Sequence, residues 1–230
     1  MSKVKYKYLL FDADDTLFDF AKCEAAALEI ALTDPPLAFS TDLWEKYHKI
    51  NDDLWKALEK GLVTRDIIKT ERYKKLFESC GVFDESYLET AKNYEKALSE
   101  QVIEVDGAWE LLEKLSEKYD LYVITNGITF VQQNRFSISR IGSMVKKVYI
   151  SEQMGTAKPS ALFFEKVLAD VGDNDKEKYL VIGDSLTSDI SGAENFGIDS
   201  IWYSKNGSDP CGRHPTYTVN DLSEICQILL

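Results

Sequence analysis

Four polar clusters in this chain of 230 residues hold the residue types that do chemistry when they meet. The first is Asp12-Ala13-Asp14-Asp15-Thr16. The second is Thr125-Asn126-Gly127. The third is Lys158, followed by Pro159. The fourth runs from Gly183-Asp184-Ser185 to Asp189. Neighbouring carboxylates can divide the work of nucleophile and acid–base group, and grouped carboxylates suit a hard cation that takes oxygen ligands. A lysine supplies countercharge, and a turn of hydroxyl and N–H groups can receive an anion at a helix start. Attack on an anionic phosphate calls for this combination.

These clusters act together only if the fold gathers them. Tyr8–Phe11 form an apolar run that stops at Asp12. Leu121–Ile124 run into Thr125, Val148–Ile150 into Ser151, Leu180–Ile182 into Gly183, and Ser200–Tyr203 into Lys205-Asn206-Gly207. Short apolar runs bounded by polar turns predict parallel strands buried on both faces. Between them, Ala108, Leu111, Leu112 and Leu115 recur at helical spacing, as do Leu162, Phe163, Val167 and Leu168. The alternation predicts an α/β fold with a Rossmann-like parallel sheet. All strand C-termini of such a sheet open on one edge, where ligands bind. Three clusters sit at strand ends, and Lys158 lies in the approach to a helix.

The stretch from about Phe18 to Ile103 breaks the alternation. Leu43, Tyr47, Ile50 and Leu54, then Ile67, Ile68, Leu76 and Phe77, then Tyr87, Leu88, Ala91, Tyr94 and Leu98 are spaced as on amphipathic helices. Pro35-Pro36, Gly61 and Gly81 punctuate them. The expected organisation is a core of residues 1–17 and 104–230 with an inserted helical cap, 18–103. For the cap aromatics Phe18, Phe20, Trp44, Tyr47, Trp55 and Tyr73, core packing is the expected role, and none is nominated for specificity. The segment from Gly207 to Tyr217 reads as a loop.

The net charge of −12 argues against a polymeric nucleic-acid partner, because an acidic surface repels a phosphate backbone. Cys23, Cys80, Cys211 and Cys226 form no C-x-x-C pair, and His48 and His214 are far apart in sequence, so a zinc site is not expected. No apolar run reaches membrane-spanning length, and the N-terminal run is too short for a secretory segment. The expectation is a cytoplasmic protein with a reduced cysteine set and no membrane partner. Nothing in the sequence sets its oligomeric state.

Phe11-Asp12-Ala13-Asp14-Asp15-Thr16-Leu17-Phe18, Ile124-Thr125-Asn126-Gly127, Ile150 through Lys158-Pro159, and Gly183-Asp184 through Asp189-Ile190 together resemble the motifs of the haloacid dehalogenase superfamily, in its phosphatase branch. The helical insert after the first motif corresponds to a C1-type cap. Flanking residues are similar to those of YjjG-type pyrimidine 5′-nucleotidases. Many relatives carry glycine where this chain has Asp15, whose own role stays open.

The resemblance implies a magnesium-dependent phosphomonoester hydrolase acting on a small phosphorylated metabolite. Nucleoside 5′-monophosphates are favoured, with pyrimidines first. The alternatives are a sugar-phosphate or other small-metabolite phosphatase, a phosphoglucomutase-like phosphotransferase, and a non-catalytic protein on the same fold. Asp12 is the expected nucleophile, forming an aspartyl-phosphate. Asp14 is the expected acid–base group. It needs desolvation or a neighbouring carboxylate to keep a proton, and Asp12 is the candidate neighbour. By resemblance, dehalogenases lack this second aspartate because halide leaves without a proton. Asp12, Asp184 and the backbone carbonyl of Asp14 are the expected magnesium ligands, with Asp189 acting through a water or through Lys158. Thr125 and the N–H groups of Asn126 and Gly127 are expected to hold phosphate, and Lys158 to neutralise it. The cap is expected to cover the site and exclude water.

Overall fold

The computed structural model describes residues 5–32, 36–207 and 209–230. Met1–Val4, Pro35 of the Pro35-Pro36 pair and Ser208 of the loop after Gly207 lie outside the described residues. The chain divides into two compact units, Met1–Asp19 with Val102–Leu230, and Phe20–Gln101.

The first unit is a sheet of six parallel strands: β1 (Tyr8–Phe11), β2 (Asp120–Thr125), β3 (Lys147–Ile150), β4 (Tyr179–Gly183), β5 (Asp199–Tyr203) and β6 (Tyr217–Val219). Their order is β3-β2-β1-β4-β5-β6, with β1 central. The strand order reverses between β1 and β4, the place in an open α/β sheet where a ligand crevice forms. Side chains alternate between two buried layers, which is why the strands read as continuous apolar runs. Leu9, Phe11, Leu121, Val123, Leu180, Ile182 and Ile201 enter one layer. Tyr8, Leu10, Tyr122, Ile124, Tyr149, Tyr179 and Val181 enter the other.

The second unit contains four helices, α1 (Phe20–Ala31), α2 (Thr41–Glu59), α3 (Arg65–Ser79) and α4 (Tyr87–Ser99). The first unit resumes with α5 (Ala108–Ser116), α6 (Thr129–Ile138), a short α7 (Ser151–Met154), α8 (Ala161–Val171), α9 (Ser191–Phe196) and α10 (Ser223–Leu229). Leu111, Leu112 and Leu115 of α5 and Ile225 and Leu229 of α10 fill the first layer. Phe163, Phe164, Val167 and Leu168 of α8 with Ala193 and Phe196 of α9 fill the second.

Inside the helical unit, Ser40 caps α2 by accepting from Leu43 N–H at 3.2 Å. Tyr47, Tyr73 and Tyr94 meet at ring separations of 5.4 to 5.5 Å, and the Arg72 guanidinium lies 5.0 Å from the Tyr73 ring. Glu24 is fully buried. It accepts from Trp44 Nε1 at 3.2 Å and Asn51 Nδ2 at 2.8 Å, and His48 Nδ1 lies 2.6 Å away. Asn51 Oδ1 then accepts from Arg72 Nη1 at 2.9 Å.

Three boundaries differ from the sequence reading. Phe18 bridges to Glu104 and is buried among first-unit residues, so it belongs to the sheet unit and not to the helical one. Ile103, read with the insert, also falls in the sheet unit, where its carbonyl accepts from Asp19 N–H. Tyr217 opens β6 and does not close a loop. That strand is three residues long with two exposed, which leaves no apolar alternation to read.

Candidate active site

Asp12 is the first residue past β1. Its N–H donates to Ile182 O of β4 at 2.8 Å, so the backbone stays locked to the sheet as the side chain leaves its edge. Lys158 comes from the turn between α7 and α8, and its side chain is 1% exposed. An ammonium has three protons to donate. These go to Asp12 Oδ1 at 2.5 Å, Asp189 Oδ1 at 2.6 Å and Ile124 O at 3.0 Å. With Oδ1 of Asp12 engaged, Oδ2 is the oxygen left to face a reacting atom.

Asn126 fixes Lys158 in place. Its Nδ2 donates to Lys158 O at 2.9 Å, and Lys158 N–H donates to its Oδ1 at 3.0 Å. Asp189 lies in the π-helical turn Leu186–Ile190 after β4, and its Oδ2 accepts from Ser185 N–H at 3.1 Å. Gly183 makes this approach possible, since a Cβ there would fall 2.8 Å from Asp189 Cβ. Asp184 Oδ1 accepts from the Thr16 hydroxyl at 3.4 Å, and Asp184 O accepts from Trp202 Nε1 at 2.8 Å.

Asp12, Asp184 and Asp189 each bring a carboxylate oxygen within 4.8 Å of the others. Lys158 is hydrogen-bonded to two of these carboxylates, and the third, from Asp184, lies beside them. Burial pushes the Asp12 carboxyl up to about 8, with Lys158 opposing and Asp189 adding to the rise. Burial, then the charges of Asp12 and Asp189, pushes Asp184 well above the usual carboxylate range. Burial by itself disfavours the Lys158 ammonium, but Asp12 and Asp189 outweigh it and hold its pKa above the ordinary lysine value. With all three carboxylates ionised the cluster carries a surplus of two negative charges, which a divalent cation would balance. Both Asp189 oxygens are engaged within the chain. The donor set thus fits magnesium held by Asp12 and Asp184, an ion commonly bound through one or two carboxylates plus substrate phosphate.

The Thr125-Asn126-Gly127 turn is committed differently from the sequence reading. Gly127 N–H donates to Thr125 Oγ1 at 3.0 Å, so that donor already has a partner in the chain. Asn126 contributes through its side chain, on Lys158. Asp14 lies in a setting the sequence reading did not find. Its Oδ2 accepts from Gln132 Nε2 at 2.7 Å and its Oδ1 from Arg135 Nη1 at 2.5 Å. The nearest partners of this carboxylate are an amide and a guanidinium, both from α6. The available signal was that Val131, Gln132, Arg135 and Phe136 share one buried helix face, with polar residues at two of the four positions.

Asp15 has φ 61, the left-handed region, and its N–H donates to Phe18 O at 2.7 Å to close the turn. That backbone favours glycine, with aspartate among the residues that tolerate it. Asp15, Asp184 and the Trp202–Asn206 turn line a cavity of about 270 Å³.

The family profile described as "Haloacid dehalogenase-like hydrolase" matches residues 9–203. The chain belongs to this family. It is 40% identical over 227 residues to pyrimidine 5′-nucleotidase PynA of Streptococcus pneumoniae, covering 97% of this chain and 95% of that one. It is 30% identical to pyrimidine 5′-nucleotidase YjjG of Escherichia coli, covering 98% and 99%. The magnesium-bound crystal structure of the HAD-hydrolase YfnB of Bacillus subtilis superposes with a TM-score of 0.91 at 34% identity, covering 98% of this chain and 99% of that one. The superfamily resemblance drawn from the four motifs and the parallel α/β fold are borne out, and the chain is an enzyme of this family. Among the described residues, no helix is long and apolar enough to cross a membrane.

Proposed function

We propose that this haloacid dehalogenase-like hydrolase cleaves phosphomonoesters through an aspartyl-phosphate on Asp12, and that its substrates are nucleoside 5′-monophosphates, pyrimidines first. The observation that carries the reading is the clamp on Asp12. A buried lysine holds one oxygen, Asp184 brings a carboxylate oxygen within 4.8 Å of the Asp12 carboxylate, and Asp14 follows two residues later on the same turn. One side chain is thereby fixed as attacker while a second carboxylate remains for proton transfer. Full-length identity to two enzymes named pyrimidine 5′-nucleotidase supports the substrate class.

Asp12 Oδ2 attacks phosphorus while Lys158 holds Oδ1 and fixes the angle of approach. Magnesium on Asp12 and Asp184, with the carbonyl of Asp14 by resemblance, would draw charge from the phosphate and from the carboxylate cluster. Asp14 gives a proton to the departing oxygen and later takes one from the water that opens the phosphoenzyme. Asp189 keeps Lys158 aligned throughout.

A set of phosphorylated metabolites, measured with and without magnesium, tests the reading. The expected result is magnesium-dependent release of phosphate, fastest from UMP, dUMP or TMP. Much faster turnover of sugar phosphates would overturn the nucleotidase reading. Asp12→Asn should abolish release from an aryl phosphate while the protein stays folded, and full activity in that variant would sink the covalent route.

A further inference from the structure

Asp14 offers both carboxylate oxygens to one helix. Gln132 and Arg135 stand three residues apart on α6 and take one oxygen each, at 2.7 and 2.5 Å. The holding groups are buried, while the Asp14 side chain keeps 27% exposure, so the held end faces inward and its rim stays reachable. Arg135 is stacked, with its guanidinium carbon 4.3 Å from the Phe18 ring centroid. Gln132 lies across Gly127, where a Cβ would fall 2.8 Å from Gln132 Cγ. The glycine of the Thr125-Asn126-Gly127 turn therefore makes room for the residue that reaches Asp14.

This arrangement is expensive for a mere tie between a loop and a helix. A fully buried guanidinium loses its hydration. Gln132 Oε1 is buried with no hydrogen-bond partner, a loss of about 1–3 kcal/mol for such a group. Apolar residues of the same size would join the two elements without either cost. What they could not do is fix the rotation of a carboxylate. Two donors from fixed directions leave Asp14 one orientation, and they set which edge of each oxygen remains open.

We propose that Arg135 and Gln132 are positioning residues for proton transfer by Asp14, a role that rests on Asp14 being the acid–base group of the proposed hydrolase. In the first half-reaction the bond from Asp12 to phosphorus forms and the ester P–O bond breaks. The electron pair stays on the leaving oxygen, which takes the Asp14 proton. In the second, Asp14 takes a proton from water as its oxygen attacks phosphorus, and the Asp12–phosphorus bond breaks with its electrons returning to Asp12. Both transfers use an open edge that the α6 donors define, and neither donor gives up its own proton.

The proposal separates from a structural role by leaving group. An alkoxide departs poorly without a proton, whereas 4-nitrophenolate departs unaided. kcat/KM reports all steps through departure of the alcohol, so it reads the acid half alone. Asp14→Asn, Arg135→Met, Arg135→Lys and Gln132→Leu are compared on UMP and 4-nitrophenyl phosphate with saturating magnesium. General acid–base catalysis contributes about 10²- to 10⁴-fold and misplacement of a reacting group by an ångström about 10²-fold. Arg135→Met and Gln132→Leu should lose about 10²-fold on UMP and less than about tenfold on the aryl ester. Arg135→Lys, which keeps the cation, should fall between Arg135→Met and the parent. Equal losses on both esters in Arg135→Met and Gln132→Leu, with Asp14→Asn still discriminating, would overturn the positioning role alone. Equal losses in Asp14→Asn would overturn the acid–base assignment and the positioning role with it. Should Arg135→Met fail to fold, Gln132→Leu decides by the same ratio.

Discussion

Lys158 gives its three protons to Asp12, Asp189 and Ile124 O, so disturbing any one partner should be felt at the nucleophile. Gly183 offers such a change without touching Lys158. In Gly183→Ala the new Cβ displaces the Asp189 carboxylate, and Lys158 loses one of its two anionic partners. We expect kcat to fall by about 10²-fold, the cost of misplacing a reacting group, with overpacking destabilising the fold by about 1–3 kcal/mol. Steady-state kinetics beside a denaturant melt would check both. Asp15 gives a second test. Aspartate tolerates this left-handed backbone whereas a β-branched residue does not, so Asp15→Val should lower stability, by up to about 1–2 kcal/mol, and Asp15→Gly should not. Equal melting of the two variants would contradict it. Asp12, Asp184 and Lys158 were legible in the sequence because each stands at or soon after a strand end. Gln132, Arg135 and the side-chain role of Asn126 were not. Their partners are 118, 121 and 32 residues distant, and only the folded backbone brings them together.

At the scale of elements, the core strands were legible because burial on both faces leaves an unbroken apolar run with a polar stop. The helices of Phe20–Gln101 were legible as amphipathic spacing, but their interior was not. Periodicity marks a position as buried without revealing that a buried position holds Glu24 or Arg72. These two opposite charges are joined through Asn51, with Trp44 and His48 completing the set around the carboxylate. Removing one side of a buried charged network leaves the other uncompensated, at about 3–5 kcal/mol. Glu24→Ala should therefore unfold the helical unit at markedly lower denaturant, read by tryptophan fluorescence from Trp44 and Trp55. Glu24→Gln, which keeps the shape and an acceptor, should cost less. Similar losses in the two variants would mean that packing, and not charge, sets the cost.

The whole molecule carries a net charge of −12, and its candidate site gathers three of those carboxylates near a single lysine. The Asp12 carboxyl, pushed up to about 8 by burial, binds its proton more tightly folded than unfolded. Its contribution to stability is full below about 4, the unfolded value, and is lost as pH rises through about 8. Asp184 is shifted in the same direction. In EDTA the melting temperature should thus fall more steeply from pH 5 to 8 in the parent than in Asp12→Asn, and magnesium should recover more at pH 8 than at pH 5. Identical slopes in the two proteins would refute this. The two ends of the helical insertion have a different consequence. Val105 N–H donates to Leu17 O at 2.9 Å and Asp19 N–H to Ile103 O at 2.9 Å, with Phe18 and Glu104 paired antiparallel between them. The outgoing and returning chains are stitched side by side before the first helix begins. To the sheet, everything from Phe20 to Gln101 is the loop of a hairpin whose neck is already tied, and closure entropy depends only weakly on how long that loop is. The neck is a graft point: a bare turn, or another helical module, spliced between Asp19 and Val102 should leave the register of all six strands as it is.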